Sequence, residues 1–388
     1  MEVSGMYMNR YVFGLLLIFQ AACTTSHEDL FPIRENGKWG YINKAGEKVV
    51  DVQFDEARSF SEGLAGIKVN NKYGYIDTTG KYAVEPQFDY AADFSEGLAR
   101  VRIGKKDGYI NKTGKYVVGC QLDYGNGFSE GLAAVQINFK WGYIDTTGKY
   151  AIEPQFDSAN DFCEGLARVK AGRKFGYIDR TGKFVIEPQY DVASVEYSEG
   201  FAVVQVGDKY GYIDKTGKYL VDPQFDSAGD FTEGMAWVRV GRKFGYIDST
   251  GKYAVEPKFD IAADFSEGLA KVHNGSKYGF IDKTGKYVIE PIFSCVDDFS
   301  EGLAISCISG PELVDKTGAR SPDRGEYFRK YGYIDQTGAY VIEPRQFYEA
   351  YPFIKGLAKV SEKDLLKEKA RKKMAYINRS GKIVWREE

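Results

Sequence analysis

The sequence predicts an all-β protein: tandem three-stranded antiparallel meanders of about 34 residues, forming an open β-solenoid, with a closed propeller-like array as the alternative. Three observations carry this. An aromatic-Gly-aromatic-Ile core, or a near variant, recurs with its glycine at Gly40, Gly74, Gly108, Gly142, Gly176, Gly211, Gly245, Gly279 and Gly332. The successive steps are 34, 34, 34, 34, 35, 34, 34 and 53 residues. Around each core the chain alternates apolar and polar residues, and glycine-bearing turn motifs recur between the alternating stretches. A decayed tenth copy reads Met374-Ala375-Tyr376-Ile377.

Residues 98–128 show how one unit is built. Leu98-Ala99-Arg100-Val101-Arg102-Ile103 has the period of a half-buried strand. Gly104-Lys105-Lys106-Asp107 turns, and Gly108-Tyr109-Ile110-Asn111 returns as a second strand. Lys112-Thr113-Gly114 is a tight connection with glycine where a positive φ costs least. Tyr116-Val117-Val118 is the third strand. Most copies close it with Glu-Pro, because proline cannot donate to a ladder and biases its predecessor to extended geometry. Ser-Glu-Gly then turns the chain into the next unit, its glycine expected to be left-handed.

These residues resemble the WG-repeat family, named for the pair present here as Trp39-Gly40 and Trp141-Gly142. The resemblance covers Leu30 to the C-terminus. The tryptophan position elsewhere holds Tyr73, Phe175, Tyr210, Phe244, Tyr278 or Tyr331, and Asp107 departs from it. The resemblance implies a repeated β fold and a bacterial, often exported protein, without naming a ligand. One unit cannot bury its own apolar face, so neighbours must stack. Ten units of three strands favour an open solenoid over a ring, since propeller blades usually have four strands and number about 4–8.

The N-terminus reads as an export signal. Asn9-Arg10 precedes a short apolar run from Tyr11 to Phe19, below the roughly 20 residues needed to span a bilayer. Ala21-Ala22-Cys23 resembles a bacterial lipobox, although Gln20 departs from it. The expected organisation is a signal peptide over 1–22, a lipidated tether over 23–29 beginning at Cys23, and the repeat array over 30–388. Thr24–Asp29 reaches at most about 20 Å, which starts the array close to an outer membrane, on its periplasmic or external side.

Two insertions break the pattern. Residues 309–330 extend a hairpin tip, with Leu313–Gly318 looking like a remnant of a strand and turn. Residues 361–373 read as a short basic helix with Ser361 and Asp364 as a capping box. Cys120, Cys163, Cys295 and Cys307 occupy non-matching repeat positions, unlike a disulfide framework, although Cys295 and Cys307 share a unit and so have the chance to pair.

Charge is near balance at -3, which gives no footprint for nucleic acid. With 2 His, one of them His27 in the tether and the other His273 near a hairpin tip, the sequence lacks the material of a nucleophile-histidine site. The Asp and Glu residues recur in every unit, where turn chemistry accounts for them. Asp-x-Thr-Gly-Lys lacks the context of a phosphate loop, and no metal-ligand spacing is present, so no cofactor is expected. The expectation is a non-catalytic module that binds or scaffolds envelope proteins. The alternatives are a glycan- or peptidoglycan-binding module and, remotely, a carboxylate-dependent glycan hydrolase. Most of the 29 Tyr and 25 Phe are expected to be core.

Overall fold

A computed structural model of the chain describes residues 29–309, 329–363 and 372–387. The expected N-terminal signal and Cys23 lie outside the described residues. Among those residues the chain forms ten antiparallel sheets, each laid out in sequence order. The first has three strands and the other nine have four.

The unit is thus larger than the three-stranded meander expected. The missed strand is very short, only Tyr90–Ala91 in the unit of residues 89–122, and it pairs with Arg102 and Val101. Two residues show no periodicity, so the alternation that reveals the longer strands cannot reveal this one. In blades 8 and 9 it lengthens to Ile261–Ser266 and Cys295–Ser300.

The array is a closed ten-bladed β-propeller, which corrects the open solenoid and supports the alternative. Its buried side chains fall into ten clusters, and each cluster spans two blades. Leu98, Tyr109, Val118 and Leu122 of blade 3 pack on Phe128, Ala133, Val135 and Ile144 of blade 4. The tenth cluster joins Phe31, Ile33 and Ile42 of blade 1 to Leu357, Tyr376 and Trp385 of blade 10. Tyr376 Oη donates to Pro32 O at 3.0 Å and Trp385 Nε1 to Glu35 at 3.3 Å. The last blade therefore meets the first through the same kind of face as every other pair.

The repeated glycine is explained by a pinch. Opposite Gly142 the neighbouring strand shifts register, so that Trp141 faces Phe156 while Tyr143 faces Ile152. Glu153, Pro154 and Gln155 bulge over the single glycine. At all nine repeat glycines an added Cβ would lie 2.6–2.8 Å from a backbone nitrogen of that bulge. The next residue, Tyr143, is then fully buried and donates to Asn160 O of the following blade at 2.7 Å. Equivalent bonds run from Tyr41 to Arg58 O, Tyr109 to Asn126 O and Tyr177 to Ser194 O.

Two sets of turns define two faces. The entry face carries the Ser-Glu-Gly and Asp-x-Thr-Gly turns, and the opposite tip face carries the hairpins between second and third strands. In Ser-Glu-Gly both Glu96 (φ 53°) and Gly97 (φ 78°) are left-handed. Glu96 then accepts a bond from Gly131 N of the next blade at 2.8 Å, and its sister Glu62 accepts one from Gly97 N at 3.0 Å. Asp77 Oδ1 accepts from Thr79 N and Lys81 N, closing the Thr-Gly turn. At the tip face Asp123 takes Lys106 at 2.6 Å and Asn138 N of the next blade at 2.7 Å. The carboxylates of these turns and of the strand ends are thus tied up in turns and blade contacts.

The closing seam is built differently. Lys355 stands where the other turns have glutamate, and Asp29 bridges it and Lys44, both at 2.9 Å. Those cations hold the Asp29 carboxyl below its ordinary range against the opposing effect of burial.

The helix expected over 361–373 is not formed by its described residues. Ser361 pairs with Met374 and Glu362 with Lys373, because the hairpin ladder runs on through both positions. Residues 364–371 lie outside the described residues, as do 310–328. The ladder flanking the first insertion pairs Ile308 with Lys330 and Ser309 with Arg329, toward the tip face.

Replacing Gly142 by Ala is expected to cost about 2 kcal/mol through overpacking, measured by urea unfolding. Gly119, with open space at its Cβ position, should accept Ala with little change. Trp385→Ala should cost about 3 kcal/mol, and hydrogen exchange should rise first in blades 1 and 10. Equal loss of protection in every blade would contradict the assigned seam.

Candidate functional site

The repeat frame fixes most positions, so the positions that vary stand out. One is the second strand's mid-point, which holds Gly66, Arg100, Ala134, Arg168, Val203, Trp237, Lys271, Ile305 or Lys359. These side chains lie beside the first strand of their own or the next blade. A cavity of about 470 Å³ opens among blades 7–9, lined by Trp237, Asp264, Lys271, Tyr278, Asp297 and Asp298, with Cys295 and Val296 in its wall.

Trp237 is matched by a second substitution. Its indole lies over Gly229, where an added Cβ would approach the ring Cδ1 to 2.8 Å. The corresponding position in blades 2–5 holds Arg58, Ala92, Asn126 and Asn160. The half-buried ring also meets Phe244, with centroids 5.6 Å apart. The glycine therefore clears room for the indole at the cavity wall.

Polar groups converge on the same space. The Lys271 ammonium lies 3.2 Å from Asp298 and 4.0 Å from Asp297. Three carboxylates face one ammonium, so the lining carries a formal charge of about -2, which favours cationic or neutral polar ligands over anions. Tyr278 supplies a second ring, tilted against His273 with centroids 4.5 Å apart. The first strands flanking the cavity are the two long ones, and Cys295 is bonded to its direct cross-strand partner Cys307. The pairing that the sequence leaves open is thus made.

Blade 3 is a second departure. Asp107 replaces the aromatic residue before the repeat glycine and is fully buried. It is held by Arg100 at 2.9 Å, Arg102 at 2.5 Å and Gly125 N at 3.1 Å. The Arg100 guanidinium lies 4.9 Å from both Tyr90 and Tyr124 ring centroids. The carboxylate is consumed by this network and reaches no open space.

At each of the expected repeat glycines an added Cβ would meet the neighbouring backbone. Cys120 and Cys163 are free thiols. Burial pushes the Cys163 thiol up to about 11, away from nucleophilic use. Among the described residues no group of three or more His, Cys, Asp or Glu is placed to hold a metal ion. The sequence offered a signal for the cavity in Trp237 and Gly229, two departures eight residues from each other, but alternation alone reads both as strand residues.

Asp161 and Asp230 also line the inner strands. Burial raises both carboxyls, opposed by hydrogen bonds from Asn126 at 2.9 Å and Ser194 at 2.7 Å.

Comparison with known proteins places the chain. The WG containing repeat matches it at residues 39–73, 73–106, 108–141, 141–175, 175–210, 210–244, 244–278, 278–308 and 331–365. No curated protein matches. Among solved structures, one described as the eukaryotic initiation factor is similar at TM-score 0.51 and 12% identity, covering 81% of this chain and 95% of that one. At that identity the likeness concerns the fold alone. The extracellular domain of a hybrid two-component system from B. thetaiotaomicron matches at TM-score 0.24 and 9% identity, over 98% of this chain and 60% of that one. PorZ, a surface component of the type-IX secretion system of Porphyromonas gingivalis, matches at 0.22 and 10%, over 92% and 68%.

Asp161→Asn keeps the acceptor for Asn126 and removes the half-buried charge. A carboxyl whose folded pKa is raised gives stability that is complete below its unfolded value of about 3.9 and lost as pH rises through the folded value. The variant should therefore melt above the parent at pH 7 and converge with it near pH 4. A variant that melts lower at pH 7 would reverse the assignment.

With nine matched repeats spanning most of its length, this chain belongs to the WG containing repeat family.

Proposed function

We propose that this protein is an exported, lipid-anchored binding module of the bacterial cell envelope, without catalytic activity, whose ligand is a basic segment of a protein partner. The observation that carries the reading is the cavity at blades 7–9, where Trp237 and Tyr278 stand beside Asp264, Asp297 and Asp298. Aromatic faces attract cations, and the surplus of carboxylates supplies the complementary charge. A ring whose turns are closed by their own carboxylates suits presentation of a preformed site. The export pattern over residues 1–22 and the lipidation of Cys23 belong to the same proposal, as does an outer-membrane location.

The aromatic pair favours one other reading, a saccharide stacked on Trp237 and hydrogen-bonded by the carboxylates. The two separate by titration of intrinsic fluorescence in the full chain. A lysine-arginine peptide should give a saturable change that Trp237→Ala abolishes and Asp298→Asn weakens about tenfold, equivalent to roughly 1.4 kcal/mol. Response to peptidoglycan fragments or glycan oligomers, and not to the peptide, would transfer the site to the saccharide reading. Response to neither would remove the cavity as the binding site.

A further inference from the structure

We infer that the tip face carries a second docking surface, centred on Phe139 and separate from the cavity, that anchors a protein partner through an apolar pocket with a carboxylate rim. Phe139 occupies the second position of the hairpin turn between Ile137 and Lys140 in blade 4. Its φ is 63°, and it follows Asn138 at φ 51°. The same two positions hold Asn36-Gly37 in blade 1 and Asn70-Asn71 in blade 2, all with positive φ. Glycine and asparagine suit that conformation, and phenylalanine does not.

The side chain gains nothing inside the fold to offset this. Phe139 is 88% exposed, the most exposed of the large hydrophobic residues among the described residues. The tip needs no apolar group, since its neighbours close with Lys105 and Arg173. A residue that is both conformationally disfavoured and turned out to water is retained for something outside the chain. One protruding aromatic ring is the usual form of an interface hot spot.

Charge identifies the partner surface. Lys105 and Arg173 are exposed on the flanking tips, and the adjacent apolar residue Ile103 is 45% exposed. The intervening Lys106, Lys140 and Lys174 are bonded to Asp123, Asp157 and Asp191 at 2.6 Å. The aromatic anchor thus stands between two basic tips, and an acidic rim around an apolar pocket complements it. Asp29, where the described chain begins, lies with Lys355 on the entry face. The anchor therefore points away from the side on which the chain enters the ring.

The test places the photo-crosslinking residue p-benzoylphenylalanine at position 139 of the full chain, in the cells that make it, and at Arg242, the matching tip of blade 7, as control. One discrete adduct with another protein is expected from 139 and none from 242. Its yield should fall at least tenfold with Lys105→Glu and Arg173→Glu together. Phe139→Asn should block competition by the unlabelled protein while the melting temperature stays level or rises, which separates docking from folding. No adduct, equal adducts at both tips, or insensitivity to the charge reversals would overturn the inference. So would an adduct containing only this chain, or binding to anionic phosphatidylglycerol vesicles that Phe139→Asn abolishes, since these would assign the anchor to a second copy or to a membrane.

Discussion

The whole ring depends on one close approach: the bulged strand pressing its backbone onto a residue with no side chain. At Gly142 and its eight counterparts the bulge leaves no room for a Cβ. That approach brings the following tyrosine into the space between blades, where its hydroxyl reaches the next blade's first strand. Each of blades 1–9 is therefore shaped by the same feature that fastens it to its neighbour, while blade 10 carries Ala375 at that position. Cys120 occupies the usual proline position in blade 3, and its backbone nitrogen makes the same approach to Gly108. The pinch belongs to the backbone path, with proline favouring that path without being required for it.

Much of this was legible because it repeats. The strands of residues 98–103, 106–111 and 116–122 follow their alternation and turn residues, and Gly114 is left-handed as its hairpin requires. Closure was not legible, because it depends on Phe31 and Ile33 meeting Trp385 from the far end of the chain. No local period encodes that meeting. The two-residue first strand escaped for the opposite reason: it is too short to have a pattern. At Ser361 the capping motif agreed with a helix, but cross-strand pairing to Met374 overrode it.

The candidate surfaces were legible only in part, and the reason is physical. A repeat hides its own exceptions until the fold shows which faces they share. Trp237 and Gly229 read separately as an odd aromatic and an odd glycine, and only in three dimensions does one make space for the other. Phe139 reads as one more apolar residue beside a strand, whereas its φ and its exposure set it apart. Asp107, the most conspicuous departure in the sequence, proves to be an internal clasp for two arginines.

The seam between the first and last blades has a consequence in time. Trp385 is part of the contact that shuts the ring, so a chain delivered from blade 1 onward remains an unfinished arc until blade 10 arrives. Throughout that interval Phe31, Ile33 and Ile42 form an unsatisfied apolar end, open to self-association or to a chaperone. Interruption late in synthesis or transport would thus be more damaging than the few missing residues suggest, because nine finished blades would still leave two sticky ends.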